Sequence, residues 1–265
     1  MGSEFGYEYH YDFSLVDEDE INSKYKSAAS PKSNGARILL FDIRTKFIAV
    51  LRTDKEGEER VLIDSEKYDT ALYEDEPDDV FLRIHVFNRL DDYWMTIPEL
   101  YKFTRSAFDF AKQMSSDPAN ANLRLIPVVV SFEVCTVQKE GESNEAVMER
   151  AICSRRLIPL YLYPIPTITE MPLKPIDDHV KLFLKAMDRV RVEDTDQELA
   201  RIMSVCYFCS KRACFGAQIT LLECKHAFHS HCIARWLEDS NLCPLCDKFV
   251  YLRLNSTPEC LIHII

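Results

Sequence analysis

Cys206–Cys246, read as CYFCSKRACFGAQITLLECKHAFHSHCIARWLEDSNLCPLC, decides the fold of the C-terminal part of the chain. Its ligand-type residues are Cys206-x-x-Cys209, Cys224-x-His226, His229-x-x-Cys232 and Cys243-x-x-Cys246, with fourteen residues between Cys209 and Cys224 and ten between Cys232 and Cys243. Two residues between thiolates let one tight turn aim both sulfurs at a single tetrahedral ion. Eight such side chains suffice for two four-coordinate sites with no open position. A closed site has nowhere to hold an activated water, so its metal is structural. Cys214 lacks a Cys-x-x-Cys partner and His231 is adjacent to Cys232, so both are read as non-ligands.

This order and spacing resembles the RING-H2 family, with histidines at the fourth and fifth ligand positions. A PHD finger differs, having a single histidine ligand. Phe228, Ile233, Trp236-Leu237 and the Cys243-Pro244-Leu245-Cys246 run also agree with the RING-H2 pattern. The resemblance covers about Cys206–Lys248. It implies a small cross-braced ββα finger holding two structural Zn2+ ions. One would bind Cys206, Cys209, His229 and Cys232; the other Cys224, His226, Cys243 and Cys246. It also implies a shallow groove for an E2 ubiquitin-conjugating enzyme, with Phe208, Trp236 and Pro244 as apolar contacts. Many active members carry Arg just after the last ligand, bridging E2 and ubiquitin. Here Asp247 stands there, followed by Lys248. A carboxylate cannot donate the two hydrogen bonds of a guanidinium fork.

Outward from the finger, the 265-residue chain has 47% hydrophobic residues, enough for a core in a second domain. Its formal net charge of -11 argues against nucleic-acid binding and against docking on an anionic membrane. No run approaches the ~20 apolar residues of a membrane span, and the acidic, aromatic start is unlike a secretory signal. With six of the ten cysteines at ligand spacing, the chain is not a disulfide scaffold. Cys135 and Cys153 read as buried thiols. Cys260 and His263, a lone pair, make no site.

The pattern predicts an α+β chain. Residues 1–35 read as a disordered acidic tail, with an acidic docking segment as the alternative. Residues 36–175 read as an N-terminal mixed α/β domain. Within it, Ile38–Val50, Val61–Ile63, Val80–Phe87, Leu125–Val137 and Arg150–Tyr163 read as strands. Thr96 and Glu99 have capping-box spacing with Pro98 in the first turn, opening a helix whose core face is Leu100, Phe103, Ala107, Phe110 and Met114. Prolines 159, 164, 166, 172 and 175 mark an edge or connector. Residues 176–204 read as a helical connector, 205–250 as the finger and 251–265 as a tail.

From the resemblance, the expected activity is that of a RING-type E3 ubiquitin ligase of the intracellular (cytoplasmic or nuclear) protein-degradation pathway. Its partners would be an E2, ubiquitin and an unidentified protein substrate, the last bound by the N-terminal domain. No catalytic nucleophile is expected on the chain itself. The second reading, favoured by Asp247, is a non-catalytic adaptor that dimerises with an active ligase.

Overall fold

Val, Ile, Leu and Phe dominate Ile38–Arg52 (β2) and Leu125–Val137 (β4), which run side by side in parallel, from Ile38 against Leu125 to Val50 against Val137. In the computed structural model, residues 6–16, 37–53, 57–163, 184, 187, 189–192 and 203–250 are described. The chain divides into two units, Met1–Lys174 and Pro175–Ile265. The first holds a four-stranded mixed sheet in the order β1-β4-β2-β3, with β1 at Tyr7–Leu15 and β3 at Glu58–Tyr73, both antiparallel to their neighbours. A register shift at Phe47/Ile48 gives β3 one extra residue, Ile63, a bulge that locally increases sheet twist.

Parallel neighbours need a crossover, and here two helices supply it: α1 (Val80–Asp92) and α2 (Ile97–Ser116). The α2 start follows the sequence reading. Thr96 Oγ1 accepts from Glu99 N–H at 3.4 Å, and Glu99 Oε2 accepts from Thr96 N–H at 2.8 Å. Leu100, Phe103, Ala107, Phe108 and Ala111 are buried. Phe132 of β4 anchors this layer, with Phe103 edge-on at 5.2 Å and Tyr11 stacked at 6.0 Å. A short helix, α3 (Asn144–Arg150), seals the far end by seating Val147 on Ala49 and Leu51.

Four expectations are corrected. Tyr7–Leu15, assigned to the disordered tail, is a strand: Tyr7, Tyr9, Tyr11, Phe13 and Leu15 alternate with polar residues and lie along β4. Residues 1–5 and 17–36 lie outside the described residues. Val80–Phe87 is helix, because Leu82, Val86 and Leu90 are buried at a spacing of four while Ile84 is 59% exposed. Arg150–Tyr163 is not a strand but the end of α3 and two single 3-10 turns, at Ser154–Arg156 and Leu160–Leu162. Side chains satisfy its backbone: Arg89 donates to the Ile158 carbonyl at 2.7 Å, and Asp64 accepts from Ser154 N–H at 2.9 Å. Within the expected connector Leu184 is helical, but Arg189–Arg191 forms a strand, described below with the finger it pairs with. The capping pair Thr195 and Glu198, the prolines from 164 to 175 and the tail 251–265 fall outside the described residues.

A charged cluster is buried between α1 and β3. The Arg89 guanidinium, 2% exposed, bonds Glu66 and lies 3.3 Å from Asp92. Tyr93 donates to Glu66, and Tyr163 donates to Asp92 at 2.7 Å. Desolvation and the nearby Glu66 carboxylate raise the Tyr93 hydroxyl pKa well above its ordinary value, so Tyr93 acts as a donor. Replacing one partner of a buried ion pair typically costs ~3–5 kcal/mol, because the others keep their charge without compensation. Arg89→Ala is therefore expected to lower the stability of the first unit by about that amount, measured by urea unfolding followed at buried Trp94. A loss within ~0.5 kcal/mol of zero would show that the cluster does not hold α1 in place.

Candidate metal centre

The second unit is built on a three-stranded antiparallel sheet in the order β5-β6-β7: Arg189–Arg191, Gln218–Leu221 and Ala227–His229, followed by helix α4 (Ser230–Trp236). Its apolar centre is small. Ile219, Leu222, Phe228, Ile233 and Leu237 are buried around it. Thr220 and Ser230 share a buried hydroxyl–hydroxyl hydrogen bond of 2.8 Å.

Two turns of matching geometry present the Cys-x-x-Cys pairs. In the first, Cys206 N–H donates to Lys211 O and Ser210 N–H to Cys206 O, both at 2.9 Å. In the second, Cys243 N–H donates to Lys248 O at 2.8 Å and Asp247 N–H to Cys243 O at 2.9 Å. The residue after each second cysteine is left-handed, Ser210 at φ 55° and Asp247 at φ 53°; Lys225, between Cys224 and His226, has φ 69°. Such backbone is uncommon outside glycine, with aspartate among the better tolerated residues. Two independent segments adopting it at the same offset indicates a shared demand, the convergence of two sulfurs.

The structure brings the eight sequence-selected ligands together as two groups. Cys206, Cys209, His229 and Cys232 form one; Cys224, His226, Cys243 and Cys246 form the other. Within each group the ligand atoms lie within 4.8 Å of one another. A tetrahedral ion with Zn–S bonds of about 2.3 Å would hold sulfurs about 3.8 Å apart, so the cages fit such an ion. The imidazoles turn Nδ1 inward, with His229 Nδ1 at 3.2 Å from Cys209 Sγ and His226 Nδ1 at 3.4 Å from both Cys224 and Cys243 Sγ. The pairing interleaves in sequence, so each centre ties together segments far apart along the chain.

The electrostatics suit a cation. Hydrogen bonding from the Cys232 thiol and from the His229 and Cys209 backbone N–H groups pulls the Cys206 thiol well below its ordinary value. The same pairing pushes Cys232 up. The Lys248 backbone N–H lowers Cys246. Thiols this close compete for one negative charge, and a dication lets all of them ionise.

Phe208 and Trp236 are neighbours, with ring centroids 5.7 Å apart, and Phe208 also meets buried Phe228 at 5.4 Å. Trp236 is 38% exposed, and its Nε1 donates to Leu242 O at 2.8 Å, tying α4 to the second turn. Pro244 is half-buried and Leu245, beside it, is exposed. Asp247 and Lys248 are exposed.

Two features escape the sequence reading. The His231 ring lies nearly parallel to that of His229, at 5.4 Å and 12°. The second is β5. Val190 pairs with Ile219, and Val192 N–H donates to Ala217 O at 3.0 Å, so the folded unit begins before residue 205. A signal for it existed in Arg189-Val190-Arg191-Val192, a short polar/apolar alternation. Cys214 is half-buried outside both cages, Cys135 and Cys153 are buried in the first unit, and Cys260 and His263 lie outside the described residues.

The two interleaved Cys/His cages around a short helix are each fit to hold a tetrahedral metal ion. Residues 199–247 match the model of the RING-H2 zinc finger domain, and this segment is a RING-H2 finger. The region is 46% identical over 41 residues to the probable E3 ubiquitin-protein ligase RHG1A of Arabidopsis thaliana, covering 16% of this chain and 6% of that protein. It is 35% identical over 69 residues to the RING-H2 finger protein ATL79 of Arabidopsis thaliana, covering 26% and 42%. It is 46% identical over 41 residues to the E3 ubiquitin-protein ligase RNF181 homolog of Drosophila melanogaster, covering 16% and 28%. The match thus spans less than half the length of these curated relatives. Among solved structures, the RING-H2 domain of Arabidopsis RMR1 matches at 30% identity and TM-score 0.24, covering 28% of this chain and 95% of that one. Among the described residues no helix is long and apolar enough to cross a membrane.

With so small an apolar centre, the unit is expected to depend on bound metal, since metal binding in such units supplies the folding free energy. Chelation is expected to unfold 203–250 while the first unit keeps its structure. Of the chain's two tryptophans, Trp236, already 38% exposed, should then become more accessible to a collisional quencher and buried Trp94 should not. Quenching of Trp236 that full chelation leaves unchanged would contradict this dependence.

Proposed function

We propose that the protein is a RING-type E3 ubiquitin ligase whose finger holds two structural Zn2+ ions and docks a ubiquitin-loaded E2. The observation that carries the reading is the cross-braced pair of cages, each of three cysteines and one histidine, within the RING-H2 match, with a partly exposed Trp236 seated on Phe208 beside them. The named relatives support it, being E3 ubiquitin-protein ligases by description. Bound zinc supplies only structure here. Each cage is filled by four protein ligands and leaves no position for water or substrate.

The chain's own contribution is positioning. Phe208, Trp236 and Pro244 form the apolar docking contacts, of the aromatic kind that dominates binding energy at interfaces. Holding the E2-ubiquitin thioester in an attack-ready arrangement accelerates transfer to a substrate lysine without a nucleophile on the finger. The N-terminal α+β unit recruits the substrate. Ubiquitin transfer in a reaction of E1, several E2 enzymes, ubiquitin and this protein tests the activity. One observation favours a second reading, a non-catalytic RING adaptor that dimerises with an active ligase: Asp247, exposed and acidic, stands where many active members of the family carry Arg.

Three outcomes are expected. Protein purified without chelator should carry two zinc ions per chain by elemental analysis; one or none would remove the two-site assignment. Trp236→Ala should abolish transfer with both ions retained, since loss of such an anchor typically costs ~2 kcal/mol or more of binding. Wild-type transfer by this variant would relocate the groove. Asp247→Arg should speed ubiquitin discharge from a bound E2 with little change in E2 affinity, because a contact made only in the reactive arrangement raises turnover. The left-handed backbone at 247 costs a non-glycine residue roughly 1–2 kcal/mol, so metal content is measured alongside. Lys248→Ala is the companion: if Lys248 bridges from one residue out of register, its loss should slow wild-type discharge and matter less beside Asp247→Arg. No effect of either change on discharge removes the bridging role, and a wild type that binds no E2 leaves the adaptor.

A further inference from the structure

Tyr207 is 58% exposed, more than any other large apolar side chain described in the second unit. Single exposed apolar residues are ordinary on protein surfaces, but this one is joined to the proposed E2 anchors. Its ring stands edge-on to Phe208, at 5.4 Å and 81°. Phe208 in turn meets Trp236 at 5.7 Å and rests on buried Phe228. Tyr207, Phe208 and Trp236 thus form a row of rings, seated on the apolar centre through its middle member and exposed at both ends. The two cysteine turns give a second, independent observation. The bonds Cys206 N–H to Lys211 O and Ser210 N–H to Cys206 O recur as Cys243 N–H to Lys248 O and Asp247 N–H to Cys243 O. Tyr207 therefore holds in the first turn the place that Pro244, itself a docking contact on the ligase reading, holds in the second. The ring is presented on a backbone fixed by cage residues on both sides, Cys206 and Cys209, and a tyrosine with two side-chain torsions loses little freedom on binding.

Tyr207 also brings a polar group to an otherwise apolar row. The Trp236 N–H is already bonded to Leu242 O, whereas among the described residues none bonds the Tyr207 hydroxyl. Lys211 and Arg212, which follow on the same loop, are exposed, so the rim beside the first turn is cationic and draws acceptors, carboxylates foremost. A hydrogen bond built into an interface discriminates against partners that lack its acceptor, because the donor is then left buried and unpaired. We propose that Tyr207 is a specificity-determining contact for the E2: its ring lengthens the docking surface beyond Phe208, and its hydroxyl donates to a carboxylate or carbonyl on the E2 surface opposite the first turn. The inference rests on the ligase reading and adds to it a residue that ranks E2 enzymes by affinity.

The test titrates the full zinc-loaded chain against a panel of purified, fluorescently labelled E2 enzymes, and measures ubiquitin discharge from each loaded E2 at saturation. Tyr207→Ala is expected to weaken the E2 that wild type binds best by ~tenfold or more, and Tyr207→Phe, which keeps the ring on Phe208, by about threefold or more. The enzymes bound best should lose most, so that both variants narrow the spread of affinities across the panel. Discharge at saturating E2 should stay at the wild-type rate, as for a contact made equally in the ground state and the reactive arrangement. Zinc content is measured for each variant, and if Tyr207→Ala loses metal, Tyr207→Phe carries the test. Wild-type affinities in the variants, an equal loss for every E2, an unchanged affinity in Tyr207→Phe, or a slower discharge at saturation each overturns the proposal. Trp236→Ala separates this failure from that of the ligase reading: if it abolishes E2 binding while the Tyr207 variants bind as wild type, only the role of Tyr207 falls. A wild type that binds no E2 overturns both.

Discussion

Eight side chains have to reach two points in the C-terminal unit, and almost everything else in that unit answers to this requirement. The left-handed residues Ser210, Lys225 and Asp247 bend the backbone where ligands must converge. The hairpin of β6 and β7 carries Cys224 and His226 in its turn and His229 at its end, so one short ladder feeds both cages. Helix α4 supplies Cys232 from its first turn and Trp236 from its last. Because the ligand pairs interleave, each cage draws on segments that also serve the other. The exposed aromatic surface is thus held beside the two cages, and Trp236 adds one direct tie through its bond to the Leu242 carbonyl.

This is why the finger was legible from residues alone while the first unit was read only in part. Cysteine and histidine at ligand spacing are rare and chemically committed, so spacing carries most of the geometry. In the first unit the same apolar residues serve strands and helices. Across Val80–Phe87, Val80, Leu82, Ile84 and Val86 alternate, yet Leu82, Val86 and Leu90 also recur every four residues, and the helical period is the one buried. Arg89 hides the helix further, since a buried charge looks like a solvent-facing one until its partners Glu66 and Asp92 are seen. The capping box at Thr96 is local chemistry and was readable.

Two other misreadings have the same root. The acidic run Asp17–Glu20 and the polar stretch near Ser30 dominate the composition of residues 1–35 and mask the alternation of Tyr7, Tyr9, Tyr11, Phe13 and Leu15. The apolar content of Arg150–Tyr163 suggests a strand, but Pro159 cannot donate to a ladder, and the segment instead bonds to side chains of Arg89, Asp64 and Asp92. Those partners are 69 to 90 residues away in sequence. No local pattern announces them.

The closed cages also limit how large any single contribution to ubiquitin transfer can be on the ligase reading. With four protein ligands at each ion, the finger has neither an activated water nor a nucleophile, so its effect is confined to the population of the reactive E2-ubiquitin arrangement. A tenfold shift in that population corresponds to ~1.4 kcal/mol, about one charge-assisted hydrogen bond. The side chain at 247 is exposed, and its backbone is held in place by the second cysteine turn, where Asp247 N–H bonds the Cys243 carbonyl. A carboxylate there offers acceptors where carbonyls would need donors. The same turn places Lys248 next to it, also exposed, with its backbone carbonyl accepting from Cys243 N–H. The backbone bonds of that turn therefore set the place of both side chains, and on the ligase reading their charge would decide whether the reactive arrangement is favoured. On the ligase reading proposed above, one residue's chemistry at a position fixed by the second cysteine turn would separate a strong ligase from a docking module.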